Sequence, residues 1–200
     1  MHAEIVMIGT ELLLGEIVDT NATKLGKMLR EIGLDLLYKS TVGDNVDRIT
    51  AVLNVALDRS DVVITSGGLG PTVDDMTRQA VANATGRPLV YSTELEAQIA
   101  ARFRTFGREM AENNRRQAYI PDGALALPNP VGSAPCFLSE DVAGRGFIIS
   151  LPGVPRELEY MMRNTVLPLL VERMGGAKVM KVRVLRTCAV GESNVDRGIS

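Results

Sequence analysis

Three times in the first 86 residues a short apolar run gives way to a turn and then to an amphipathic helix, and this repetition limits the chain's choice of fold. Glu4 to Ile8 is the first run and ends at Gly9. The helix that follows, capped by Asp19 or Thr20, places Ala22, Leu25, Leu29 and Ile32 on one face and stops at Gly33. Leu34 to Val42 reads as the second strand, and Ile49, Val52, Leu53, Ala56 and Leu57 mark the second helix. Asp61 to Thr65 is the third strand, closed by Ser66-Gly67-Gly68, with a helix expected from about Asp74 to Thr85 before Gly86. Continuous apolar strands alternating with helices predict a mostly parallel sheet covered on both faces, a three-layer α/β/α fold.

Beyond this repeat a longer helix is expected, with a stripe of Leu95, Ile99, Phe103, Phe106 and Met110. Pro128 to Pro135 fits neither helix nor central strand and reads as a structured loop. Cys136 to Ser139 and Arg145 to Leu151 read as an antiparallel hairpin added to the sheet. A last helix carries Leu158, Met161, Met162 and Leu169, with Pro168 kinking or restarting it. Gly175-Gly176 reads as a hinge. The alternating segment Val179 to Val190 and a helix from Gly191 then suggest a piece of another module, so the main domain is expected over 1–174 and an incomplete one over 175–200.

Composition narrows the chemistry. With 22 Lys+Arg against 24 Asp+Glu, the charge gives no case for a nucleic-acid partner. No apolar run approaches the roughly 20 residues of a membrane span, and Met1 to Glu4 lacks the basic start of a secretory signal. The two cysteines, Cys136 and Cys188, form no CxxC pair and read as buried reduced thiols of a cytoplasmic protein. The single histidine is His2, beside the terminus. A histidine-based triad, a zinc HExxH site and imidazole general-base catalysis are therefore not expected, and chemistry falls to carboxylates, hydroxyls, arginines, lysines and backbone N–H groups.

Ligands of open parallel sheets bind beyond the strands' carboxyl ends. Three segments belong there: Thr10 and Glu11 through Asp19 and Asn21; Asp44 with its neighbours; and Ser66 through Thr77. In the third, Gly67, Gly68 and Gly70 let the backbone approach an anion, a helix start supplies N–H groups, and Thr72 and Thr77 add hydroxyls. Neither a P-loop nor a dinucleotide fingerprint is present. Asp74 or Asp75 can cap the helix, which leaves the other free, and a divalent cation would reconcile it with phosphate. The same residues also fit a tight turn with purely structural glycines. Gly153, in a further strand-to-helix turn, and Arg115 are additional candidates for phosphate contact.

The run Gly67 to Thr77 resembles the GGxGxxxxDxT signature of MoaB/Mog-type molybdopterin-binding domains. IGTELLLGEIVDTN, NNRRQAYIPDGA with LPNPVGSAP, and SLPGVPREL resemble more narrowly the N-terminal domain of the competence/damage-inducible protein A (CinA) family. Residues 178–200 resemble the start of that family's KH-type module, and its nicotinamide mononucleotide deamidase domain has no counterpart. The resemblance implies homo-oligomers and hydrolysis of ADP-ribose or a similar nucleotide diphosphate, dependent on a divalent metal such as Mg, Mn or Co. Its two key aspartates fall on Asp44 and Asp75, in catalysis and as metal ligands. Two alternatives accompany it: a domain that binds or adenylylates molybdopterin, and a nucleotide sensor without catalysis. One departure is Ala134-Pro135-Cys136, where the family usually has Ala-Pro-Gly and where a Cβ disfavours positive φ.

Overall fold

The computed structural model describes residues 1–176 and the isolated positions 188 and 197. The strand and helix expected after residue 178 lie outside the described residues. The threefold repeat forms as β1 (His2–Ile8), a short α1 (Thr10–Leu13), α2 (Thr20–Glu31), β2 (Asp35–Val42), α3 (Val46–Arg59), β3 (Val62–Ser66) and α4 (Thr77–Thr85). There follow β4 (Leu89–Tyr91), α5 (Thr93–Thr105), a 3-10 helix (Glu112–Ala118), β5 (Tyr119–Pro121) and β6 (Leu125–Leu127). The expected hairpin is β7 (Cys136–Glu140) and β8 (Phe147–Leu151), and α6 (Pro155–Met161), a π turn (Met162–Val166) and α7 (Leu167–Arg173) complete the domain.

The sheet runs β2-β1-β3-β8-β7-β6, with β4 and β5 as a separate antiparallel ribbon. β1 pairs in parallel with β2 and β3, and β3 with β8, while β7 runs against both its neighbours. Side chains alternate across a strand, so consecutive apolar residues feed two cores. Ala3, Ile5, Met7, Val62 and Ile64 pack with α2, α6 and α7 on one face. Val6, Ile8 and Val63 pack with α3, α4 and α5 on the other. This is the three-layer architecture that the runs predict.

Several boundaries differ from expectation. The α5 stripe ends early: Gly107, at φ 68°, stops the helix, leaving Phe106 as an exposed C-cap and Met110 beyond it. Pro168 lies in the first turn of α7, and the preceding π turn absorbs its missing N–H and its ring. α4 starts at Thr77 behind Met76, so neither Asp74 nor Asp75 caps it. Cys136 is buried as expected but Cys188 is exposed, and both are free. Cys136 opens β7 in extended backbone, where no glycine is required.

Candidate functional site

The parallel strands β2, β1, β3 and β8 end side by side, and their ends are tied in pairs. Gly9 N–H donates to Val42 O (3.0 Å) and Gly67 N–H to Leu151 O (3.1 Å). Above these ends lies a cleft of about 470 Å³. It gathers most of the expected residues: Glu11, Asp44, Gly67, Gly68, Gly70, Thr72, Asp74, Asp75 and Gly153.

The glycines of the third turn have steric reasons. Gly67 and Gly68 take φ 111° and 65°. A Cβ on the first would collide with Ile8 O, and on the second with Thr77 Oγ1. Thr77 closes the turn, its hydroxyl donating to Gly67 O (2.8 Å) and its N–H to Gly68 O (3.2 Å). Thr77 is therefore a buried brace and does not line the cleft. Behind the turn the buried Arg78 donates to Gly70 O (3.2 Å) and to Leu69 O. Burial pulls its guanidinium down to about 10, partly offset by Asp75, so it stays charged at neutral pH. Carbonyls are thus drawn inward, and among the described residues the N–H groups of Gly68 and Leu69 meet no acceptor.

Two threonine–aspartate clamps flank the cleft. Asp44 Oδ2 accepts from Thr10 N (2.8 Å) and Oγ1 (2.9 Å). Asp75 accepts from Gly70 N (2.7 Å), Thr72 N (2.8 Å) and Thr72 Oγ1 (2.6 Å). Instead of standing in the first turn of α4, Asp75 folds back to shape the glycine loop. Among the described residues Asp44 Oδ1 accepts no hydrogen bond, and Asp74 is exposed with no partner.

Other expected residues sit elsewhere. Asn21 donates to Gly153 O (2.7 Å), and Ser66 Oγ donates to Pro152 O (3.1 Å), stitching the β8–α6 turn to β3. With Asp19 they border a neighbouring cavity of about 180 Å³. Asp19 caps α2 through Ala22 N (2.9 Å) and meets Lys39 (3.1 Å). Arg115 pairs with Glu96 (2.7 Å) outside the cleft, pinning the 3-10 helix to α5. The cleft is also lined by Gln117, Ser133 and Glu157, to which sequence reasoning assigns no role, and by Ala134 of the Ala134-Pro135-Cys136 stretch. Their signal is membership of the runs that carry the family resemblance: Gln117 lies in NNRRQAYIPDGA, Ser133 and Ala134 in LPNPVGSAP, and Glu157 in SLPGVPREL.

Five carboxylates line the cleft, from Glu11, Asp44, Asp74, Asp75 and Glu157, and among the described residues no Lys, Arg or His joins them. Nor does any group of three or more His, Cys, Asp or Glu among the described residues suffice alone to hold a metal ion. The donor set suits a hard cation that takes one or two carboxylates and completes its shell with phosphate oxygens and water.

Comparison with known proteins places the fold in a family. The family model described as "Probable molybdopterin binding domain" matches residues 4–172. A Symbiobacterium thermophilum protein carrying a competence-damage inducible name is 49% identical over 200 residues, all of this chain and 47% of that protein. A CinA-like protein of Gloeothece citriformis is 42% identical over 193 residues, 96% of this chain and 46% of that one. The chain thus spans about half the length of the curated relatives it matches. Among solved structures, the protein CinA of Thermoplasma acidophilum, of unknown function, superposes with a TM-score of 0.75 at 34% identity, covering 84% of this chain and 97% of its own. The molybdopterin biosynthesis enzyme MoaB of Thermus thermophilus shares the fold, with a TM-score of 0.59 at 23% identity, covering 87% of this chain and 94% of its own.

Proposed function

The chain belongs to the family of molybdopterin-binding domains, in its CinA-type N-terminal form, and we propose that its cleft hydrolyses the pyrophosphate bond of ADP-ribose or a similar nucleotide diphosphate with a divalent metal. One observation carries this reading: free loop N–H groups of Gly68 and Leu69 share a cleft with five carboxylates and no basic lining residue. The N–H groups suit phosphate oxygens. The carboxylates would repel them unless a cation intervened. Asp44 and Asp75 would hold that ion jointly with the phosphates. When bound, it would neutralise phosphate charge and make water a better nucleophile.

The chain's own contribution is placement. The Gly67–Gly70 turn presents N–H groups to the bridging phosphates, and Asp75 fixes the shape of that turn. Asp44, with an oxygen unengaged by protein, orients the attacking water. Water adds to one phosphorus as the bridging oxygen leaves with the other, giving two monophosphates. A screen of nucleotide diphosphates with Mg, Mn and Co tests the reading. AMP release from ADP-ribose is expected, and no turnover with any metal would defeat it.

A second reading, binding or adenylylation of a pterin, draws on family membership and on the same acids, since carboxylates accept well from the N–H edge of a pterin ring. Tight pterin binding without hydrolysis would favour it. Nucleotide binding with neither activity would favour a sensor.

A further inference from the structure

Gln117 is one of the most enclosed polar residues of the protein, 1% exposed, yet among the described residues its side chain makes no hydrogen bond. Its Oε1 is buried without a partner, and the residue forms part of the cleft wall. Buried amides are nearly always satisfied, because an orphaned one is destabilising. The backbone that carries this one is firmly held. The 3-10 helix that carries Gln117 is pinned by the Arg115–Glu96 pair (2.7 Å), and the next residue, Ala118, accepts from Ser92 N (3.0 Å). The side chain is therefore held beside the cleft by a braced segment, its Oε1 without a protein partner and closed off from the cleft, so that it meets a ligand only when the amide rotates outward.

We propose that Gln117 is the group that reads the heterocyclic half of the ligand, pairing its amide with a ring edge that offers one donor beside one acceptor. The primary amide presents N–H and C=O side by side, the complement of such edges on adenine and on pterins. Elsewhere the cleft offers carboxylates, which only accept, loop N–H groups, which only donate, and the hydroxyls of Thr72 and Ser133, which place donor and acceptor on a single atom. None of these sets a donor beside an acceptor on one rigid plane, as the amide does. Phosphate and heterocycle recognition are thereby divided between the Gly67–Asp75 turn and Gln117. This inference rests on the reading of the cleft as a site for a phosphorylated heterocycle.

Gln117→Met keeps the length and removes both polar atoms. Ligand affinities are measured by calorimetry for ADP-ribose, a pterin monophosphate and inorganic pyrophosphate, each with Mg, alongside the melting temperature of the unliganded protein. The proposal expects Gln117→Met to melt at or above the wild-type temperature, since an orphaned amide is removed. It expects affinity for whichever heterocyclic probe the wild type binds to fall at least tenfold, with pyrophosphate affinity unchanged. Gln117→Glu, which replaces the donor half, should lose the same selectivity. Unchanged heterocycle affinity overturns the proposal, as does a fall in melting temperature with equal loss for all probes, which marks a structural residue. A wild-type protein that binds none of the heterocyclic probes overturns it too. If the wild type binds a heterocycle but hydrolyses nothing, the hydrolase reading fails while the selective loss in Gln117→Met still upholds this one.

Discussion

The two ends of the sheet treat their carboxylates in opposite ways. At the β7–β8 turn Asp141, with its side chain 2% exposed, accepts from Arg145 N (3.1 Å) and Nε (3.0 Å). The same guanidinium reaches Asp58 (3.0 Å), Asn54 (3.1 Å) and Ala84 O (2.9 Å), tying the hairpin to α3 and α4. Arg145 holds Asp141 below the usual carboxylate range against the opposing effect of burial. At the cleft, by contrast, the five carboxylates accept hydrogen bonds among the described residues only from N–H and O–H dipoles, or from nothing, and the buried Arg78 behind the loop acts on Asp75 through space alone. Negative charge matched by a guanidinium that hydrogen-bonds it directly stabilises the fold. Negative charge left unmatched beside free loop N–H groups is a standing electrostatic cost, and a ligand carrying its own cation relieves it.

The contrast breaks most visibly at Arg145. Arg145→Met leaves Asp141 buried and unpaired, and a loss of about 3 kcal/mol is expected. That corresponds to a fall of roughly 10 °C in melting temperature, with cleft binding unaltered at a temperature where the variant is folded. Thermal denaturation beside calorimetry decides it, and a shift of only a degree or two would mean the cluster is decorative. At the other end, Asp75→Asn should lower nucleotide hydrolysis about a hundredfold, equivalent to about 2.7 kcal/mol of barrier. It should also cost about 1–2 kcal/mol of stability, because one amide oxygen cannot serve both Gly70 N–H and Thr72. Hydrolysis near the wild-type rate in a folded Asp75→Asn protein would reduce Asp75 to a loop clamp.

Asp75 also shows where sequence reasoning runs out. The strands, the helix faces and the position of the glycine-rich turn follow from local chemistry: period-2 burial, 3.6-residue spacing, and glycines at Gly33 and Gly86 that close helices with positive φ. The side-chain roles do not. Two adjacent acids before a helix look like a cap and a spare, but Met76 intervenes and Asp75 turns back to satisfy Gly70 and Thr72. Arg115 looks like a phosphate ligand until Glu96, 19 residues away in sequence, takes it. Gln117 belongs to the quoted run NNRRQAYIPDGA, but its part cannot be read there, because its significance lies in what fails to contact it. Gly107 could have been read, since a glycine after Phe106 is an ordinary helix stop, yet the apolar stripe suggested a longer helix.

Acid should erase the difference between the two ends. Asp141 is held below its unfolded pKa by Arg145, so its contribution is complete above the unfolded value of about 3.9 and disappears as pH falls through the lower folded value. Asp141→Asn is expected to be about 2 kcal/mol less stable than wild type at pH 7. The gap should narrow steadily below about pH 4. Urea denaturation at a series of pH values measures this directly. A gap that stays constant to pH 2.5 would show that shape, not charge, is what Asp141 supplies.

The smallest effect sharpens the cleft side of the contrast. Asp74 is exposed, lines the cleft and has no hydrogen-bond partner among the described residues. If it only adds to the field that attracts a cation, Asp74→Asn should leave stability within about 0.5 kcal/mol of wild type. One unit charge at about 8 Å from another in water is worth about 0.5 kcal/mol. The Mg concentration for half-maximal ligand binding should therefore rise about two- to fivefold, the upper figure reflecting the ion's double charge. Salt screens such an effect over about 3 Å at 1 M ionic strength, so the shift should shrink when the titration is repeated in 1 M KCl. A direct contact with the ion would survive the salt. A rise of tenfold or more that persists in 1 M KCl would make Asp74 a ligand in place of a remote charge, and no rise at low salt would mean that the cleft's acids do not act as one field.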